Sequence, residues 1–217
     1  MHSILKFIIT TTILLILPVN NLLSQNFSVL VNGGYSYRLM TLKDTVSESY
    51  NSYFNRKKPG INYNIETVWY GGNQGVGLRF NSFLNSVSGK NIYIDQFEKV
   101  DKSEKIRINY YSIQYHNRKQ ISNSGFWAEF CVGIGYVTYY SEGNELAEQI
   151  TITGNTAGLN GTVYLDYHVF EFLSFNISAN LFIAVLSKEI NNGNTEILTN
   201  KEGLARVDLN GGIRISF

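Results

Sequence analysis

A single cysteine, Cys131, stands among 217 residues, so the chain can form no internal disulfide. Only 2 prolines occur and charged residues are 16% of the total, which is sparse for a water-facing surface. Net charge is nearly absent as well. Lys6 is the one charge within residues 1–24, and beyond it 17 basic residues meet 17 acidic ones, so no basic field points toward nucleic acid. The chain also lacks a segment with a convincing helical period. Its one continuous apolar run, Phe7 to Leu17, falls short of the roughly 20 residues a helix needs to cross a bilayer.

That run follows Lys6 and leads through Pro18 to Leu22, Leu23 and Ser24, the layout of a secretory signal peptide cut between Ser24 and Gln25. A signal peptide over 1–24 and one domain over 25–217 are expected. What the domain has in abundance is aromatic: 15 tyrosines and 13 phenylalanines. Aromatic richness with few charges suits a pleated surface that faces something apolar.

Eight segments alternate with period two between turn residues. They are "FSVLVNGGYSYRL", "INYNIETVWY", "GVGLRFNSFL", "KIRINYYSIQYHN", "FWAEFCVGIGYVTYY", "AGLNGTVYLDYHV", "LSFNISANLFIAV" and "DLNGGIRISF", the last extended back to Arg206. In the seventh, Phe175, Ile177, Ala179, Leu181, Ile183 and Val185 oppose Ser174, Asn176, Ser178 and Asn180. The fourth breaks step, because Ile106 and Ile108 have one parity and Tyr111, Ile113 and Tyr115 the other. A β-bulge near Tyr110 and Tyr111 would put both sets on one side.

Short connections such as "GGNQ", "RKQISNS" and "FEF" alternate strictly with long polar ones near residues 40–60, 86–104, 141–155 and 187–202. This is the asymmetry of an outer-membrane barrel, with tight periplasmic turns and long outer loops. In lipid, strands can cross only when closed into a ring without edges. The fold class is therefore all-β: an eight-stranded antiparallel up-and-down transmembrane β-barrel. Here the uncharged face looks outward and the polar face is the interior. Its charges are Arg38, Arg79, Arg206 and Arg214 against Glu66, Glu129, Asp166 and Asp208, a balance that allows an ion-paired lumen. Two aromatic belts are expected, Tyr35, Tyr37, Tyr63, Tyr136 and Tyr139 at the long-loop end, and Trp69, Tyr115, Trp127, Tyr167, Phe175 and Phe217 at the other.

With "LLSQ" at the leader's end, eight alternating strands and the final "IRISF", the chain resembles the small bacterial outer-membrane β-barrel proteins. The likeness is to the eight-stranded OmpA/OmpX-like group, particularly the Bacteroidetes-type barrels. The resemblance implies a bacterial outer-membrane location and makes Phe217 the terminal aromatic that marks the last strand for the barrel-assembly machinery. It says little about activity.

An eight-stranded barrel is just wide enough for side chains to fill, and Tyr70, Phe83, Tyr164 and Phe182 point inward here, against an open pore. A lipid-modifying enzyme is an alternative, with Ser112, Gln114 and His116 on one face and Asp166 and His168 on another as its polar groups. These residues read more simply as interior fillers. "GGNQGVG" lacks the ending of a phosphate loop, and Cys131 and the three histidines have no metal spacing. No cofactor is implied. In the first long link, Tyr50, Tyr53 and Phe54 beside Arg56, Lys57 and Lys58 form an aromatic and basic group suited to lipopolysaccharide phosphates or a surface or periplasmic protein partner.

The leading expectation is a non-enzymatic barrel with a filled polar lumen, serving envelope integrity or surface interaction through its long outer loops. A soluble periplasmic ligand-binding barrel is the other alternative. The membrane reading predicts that Ile177, Leu181 and Ile183 point outward; inward side chains there would sink it.

Overall fold

The computed structural model describes residues 27–40, 47–93, 99–122, 124–145, 148–191 and 194–217. The expected leader over 1–24 and its cut after Ser24 lie outside these residues. The described elements run β1 (Phe27–Arg38), α1 (Glu48–Arg56), β2 (Pro59–Gly71), β3 (Gln74–Tyr93), β4 (Lys99–Gln120), β5 (Phe126–Glu145), β6 (Glu148–Phe170), β7 (Leu173–Asn191), β8 (Asn194–Gly203) and β9 (Arg206–Ser216).

Strands β1 to β7 pair consecutively and antiparallel, and β9 joins β7 to β1, closing a ring of eight. The closing seam is complete, from Ser28 opposite Ser216 to Arg38 opposite Arg206, and the Phe217 amide donates to the Phe27 carbonyl at 2.8 Å. Closure pairs the backbone groups that lipid could not satisfy. The eighth segment arrives in two pieces. β8 lies along the upper part of β7, with Asn194 opposite Asn191 and Gly203 opposite Val185; beyond Leu204 and Ala205, β9 continues down the lower part.

Side chains alternate as the membrane reading requires. On β7, Ile177 is 62% exposed and Leu181 and Ile183 are exposed beside it, while Ser178, Asn180 and Phe182 between them are buried. The short turns are tight; Gly71 faces Gln74 across a two-residue connection in which Gly72 has φ +74°, a conformation that glycine adopts without strain.

Three expectations are corrected. No bulge interrupts β4 at Tyr110, since its pairing with β3 runs unbroken from Gln74–Asn117 to Gly89–Lys102. Ile106, Ile108 and Tyr110 instead point inward and pack with Phe83, Val137, Tyr139, Phe182, Ala184, Leu186 and Leu204. The parity of the apolar residues flips because the surroundings of the strand change: lipid outside below, water outside and an apolar interior above. Second, the long links near 86–104, 141–155 and 187–202 are largely strand, continuing the ladders beyond the barrel as hairpin extensions. Third, a helix occurs where none was expected. Ser47 caps α1 by accepting from the Tyr50 amide at 3.2 Å, and Glu48 and Arg56 lie at the dipole ends that suit their charges.

The aromatic belts stand with two exceptions. Tyr35, Tyr37, Tyr63 and Tyr136 are exposed at one end and Trp69, Tyr115, Tyr167, Phe175 and Phe217 at the other. Tyr139 is buried in the upper apolar cluster, where its inward parity places it. Trp127 shares the parity of Glu129 and lies against the His168 ring at 5.7 Å, off the lipid face.

Ile134, 64% exposed on β5, sits midway along the apolar outer face. Ile134→Arg is expected to lower the unfolding free energy in phospholipid vesicles by about 2–4 kcal/mol, read by urea titration. A loss below about 0.5 kcal/mol, of the ordinary surface kind, would place this face in water.

Candidate functional site: the lumen and its outer cap

All eight charged side chains expected in the interior are buried there: Arg38, Glu66, Arg79, Glu129, Asp166, Arg206, Asp208 and Arg214. They are organised in layers. In the lower layer Arg214 contacts Glu129 at 2.7 Å and Asp166 at 3.2 Å. Tyr70 donates its hydroxyl to Glu129 at 2.9 Å and accepts in turn from Arg214. Tyr164 donates to Glu66 at 2.7 Å from across the barrel.

His116 links the two glutamates. Its Nδ1 lies 2.5 Å from Glu129 and its Nε2 lies 2.8 Å from Glu66, all three side chains being fully buried. An imidazolium carries a proton on each nitrogen and so suits a carboxylate on either side. Arg79 is the direct cross-strand neighbour of Glu66. With His116 protonated, Arg79, His116 and Arg214 balance Glu66, Glu129 and Asp166, and no net charge is left in the low-dielectric interior.

The layer above is made of amides, hydroxyls and one ion pair. Arg79 donates to Thr162 at 2.8 Å, Thr162 to Asn180 at 2.7 Å, and Asn180 to Asp208 at 2.7 Å. Asp208 also accepts from Ser36 at 2.5 Å and meets Arg206 at 3.1 Å. The Arg206 guanidinium reaches Asn81 and stacks 4.2 Å from the Phe182 ring, where the polar lumen meets the apolar cluster above. Gly212 makes room for this filling, because a Cβ there would fall 2.0 Å from the Asn32 side-chain oxygen.

Above the apolar cluster lies a cap. Tyr53 of α1 is buried with Val87 and Ile92, and its hydroxyl donates to Glu104 at 3.3 Å. Lys57 meets the same carboxylate at 2.7 Å and Ser141 donates to it at 2.8 Å. Asn85 holds the chain after the helix by donating to the Pro59 carbonyl at 2.5 Å. Of the loop residues singled out by sequence, Tyr53 is thus not an exposed aromatic, Tyr50 is half-buried against it, Phe54 is covered by Lys58 at 5.6 Å, and Arg56 is exposed. Arg38 meets Glu202 at 3.0 Å, a partner outside the expected four-against-four set.

The polar groups considered for catalysis are otherwise engaged. Ser112 accepts from Gln114 at 2.5 Å, while His116 faces two carboxylates and Asp166 faces Arg214. The structure does assemble ligand types that had no sequence spacing: atoms of Glu66, His116 and Cys131 lie within 4.8 Å of one another. The set fits a metal ion poorly. Both imidazole nitrogens already face carboxylates, Arg79 flanks Glu66, and the Cys131 thiol donates to Gln114 at 3.2 Å.

A solved major outer membrane protein of Thermus thermophilus superimposes with a TM-score of 0.57 at 13% identity, over 89% of this chain and 100% of that one. The chain has the fold of an outer-membrane β-barrel. Neisserial surface protein A aligns at 10% identity over 88% of this chain and 97% of that one, with a TM-score of 0.47. Ail, the attachment invasion locus protein of Yersinia pestis, aligns at 10% identity over 88% and 99%, also at 0.47. No family model matches the chain, and no curated protein does.

The role of His116 as a bridge between two glutamates was not anticipated. Its parity with Ser112 and Gln114 assigns it to the lumen, but the carboxylates come from β2 and β5, and which of them it meets depends on the closed ring.

Arg214→Met would leave Glu129 and Asp166 short of their cation; a loss of about 3–5 kcal/mol in folding free energy is expected in urea titrations in vesicles. At the cap, burial pushes the Glu104 carboxyl up, but Lys57, Ser141 and Arg38 outweigh it and hold the group below its ordinary value. A lowered value means that its contribution is complete above the unfolded carboxylate range and lost as pH falls through the folded value. Amide resonances of α1 should therefore hold their docked shifts at neutral pH and leave them in acid, a transition that Glu104→Gln removes.

Proposed function

We propose that this chain is a non-enzymatic protein of the bacterial outer membrane that conducts nothing through its lumen and acts through its outer cap, in envelope integrity or surface interaction. One observation carries the reading: the interior is filled along its length by four successive fillings, the ion-paired layer around Glu129, the polar layer around Asn180 and Asp208, the apolar cluster around Phe182, and α1 over Val87 and Ile92. Eight strands leave little interior beyond side chains. Such a fill supports a lumen closed to solutes, and the Ser112 hydroxyl that the lipid-modifying alternative would need is taken up by the Gln114 amide at 2.5 Å. Export with a cut after Ser24, and recognition of Phe217 by the barrel-assembly machinery, complete this proposal.

The hairpin extensions are what the barrel holds out into the medium. Their interior is apolar and their outer faces carry charges such as Lys105 and Glu142, so they form a small water-facing β-structure continuous with the membrane wall. Such a strand-built crown suits contact with a surface partner better than an irregular loop would, because less conformational entropy is lost on binding.

In planar bilayers the purified, heat-modifiable protein is expected to give no ion conductance, and steady single-channel steps would refute the closed lumen. Against the lipid-modifying alternative, Ser112→Ala expressed in cells should leave the lipid A profile identical to that of the wild type. A changed profile would reinstate an enzyme.

A further inference from the structure

Above the apolar band, the outer wall carries a groove of about 640 Å³ bounded by α1 and strands β1 to β5. Its floor is one cross-strand row, Tyr35, Ile61, Leu84, Arg107 and Tyr140, each opposite the next in the ladder. Tyr35 and Ile61 are more than half exposed on the lipid-facing parity. The adjoining row holds Ser86, Lys105 and Glu142, and Arg56 projects from the last turn of the helix.

Two features set this place apart. Arg107 and Lys105 stand on the outward parity of β4 directly after Tyr111 and Asn109, where the lipid-facing side chains below are Tyr111, Ile113 and Tyr115. A cation at this level meets the headgroup layer. Second, Arg56, Lys105 and Arg107 form no ion pair among the described residues, whereas Lys57 is committed to Glu104. Glu142 is the one carboxylate in the groove, and its oxygens already accept from Gln149 at 2.9 Å and from Tyr140 at 3.4 Å. The groove therefore offers an excess of positive charge above an apolar and aromatic floor.

We infer that this groove holds a phosphorylated lipid of the outer leaflet, its phosphate between Arg56, Lys105 and Arg107 and its acyl chain against Ile61 and Leu84. Charge and apolar complement match such a molecule in the order that the membrane imposes: chains toward the bilayer, phosphate toward water. Guanidinium groups bind phosphate oxygens in a bidentate way, and each nearby cation stabilises an anionic headgroup. Because Asn85 also donates to the Arg56 carbonyl at the helix end, at 3.3 Å, a bound headgroup would tie α1 to the wall. The inference rests on the membrane reading proposed above.

The test is native mass spectrometry of the full chain, released from detergent with bisphosphorylated lipid A, with the same lipid A after phosphatase treatment, or with inorganic phosphate. The wild type should retain the bisphosphorylated lipid about tenfold better than the dephosphorylated one, and free phosphate should not compete at equal concentration. Lys105→Gln with Arg107→Gln should lose that preference, while Lys119→Gln, at the far end of β4, should keep it. Equal retention of both lipids by the wild type, an unchanged preference in the double variant, or displacement by free phosphate would overturn the inference. Heat-modifiable mobility checks insertion separately: its retention with no lipid preference sinks the groove alone, and its loss in the wild type sinks the membrane reading.

Discussion

Backbone pairing without water is the constraint on which the rest depends. A strand in hydrocarbon can satisfy its N–H and C=O groups only from its neighbours, so the sheet must close, and the seam between β1 and β9 is where it does so over eleven residue pairs. Closure then fixes an inside of set width. The width admits side chains and little else, so the residues of inward parity must be mutually compatible in charge and volume. Arg214 between Glu129 and Asp166, and His116 between Glu66 and Glu129, are consequences of that confinement.

The same ladder passes from lipid to water without changing register between Gln74–Asn117 and Gly89–Lys102. Along β4, Tyr115, Ile113 and Tyr111 face lipid; two residues further on, the outward side chain is Asn109 and then Arg107, while Ile108 and Ile106 have become the apolar ones, facing in. Apolar surface goes wherever water is not, and as the strand leaves the bilayer its outer side passes from lipid to water. A single strand thus reads as two amphipathic segments of opposite phase.

That inversion explains which expectations failed. A period-two pattern reports an alternation of surroundings, and a phase change in it has two physical sources, an inserted residue or a change of solvent. The residues of "KIRINYY" are compatible with both, and only pairing with β3 and β5 distinguishes them. The helix was hidden for a related reason. Nine residues make only about two and a half turns, and α1 is held by Tyr53 packing with Val87 and Ile92, which are more than thirty residues away. Ser47 as a cap, followed by Tyr50, Tyr53 and Phe54 at helical spacing, was the local signal present.

Alternation and link lengths alone specify the all-β class, the count of crossing strands, the face toward lipid and the identity of the charged lumen residues. Each of these depends only on parity along one strand and on the lengths of the links. The partners of those charges, the inward place of Tyr139 and Ile108, the crown's hairpins and the docking of α1 come from the folded ring. Those depend on which residues from distant strands share a layer, and that is settled by ring closure and stagger, quantities that no single strand contains.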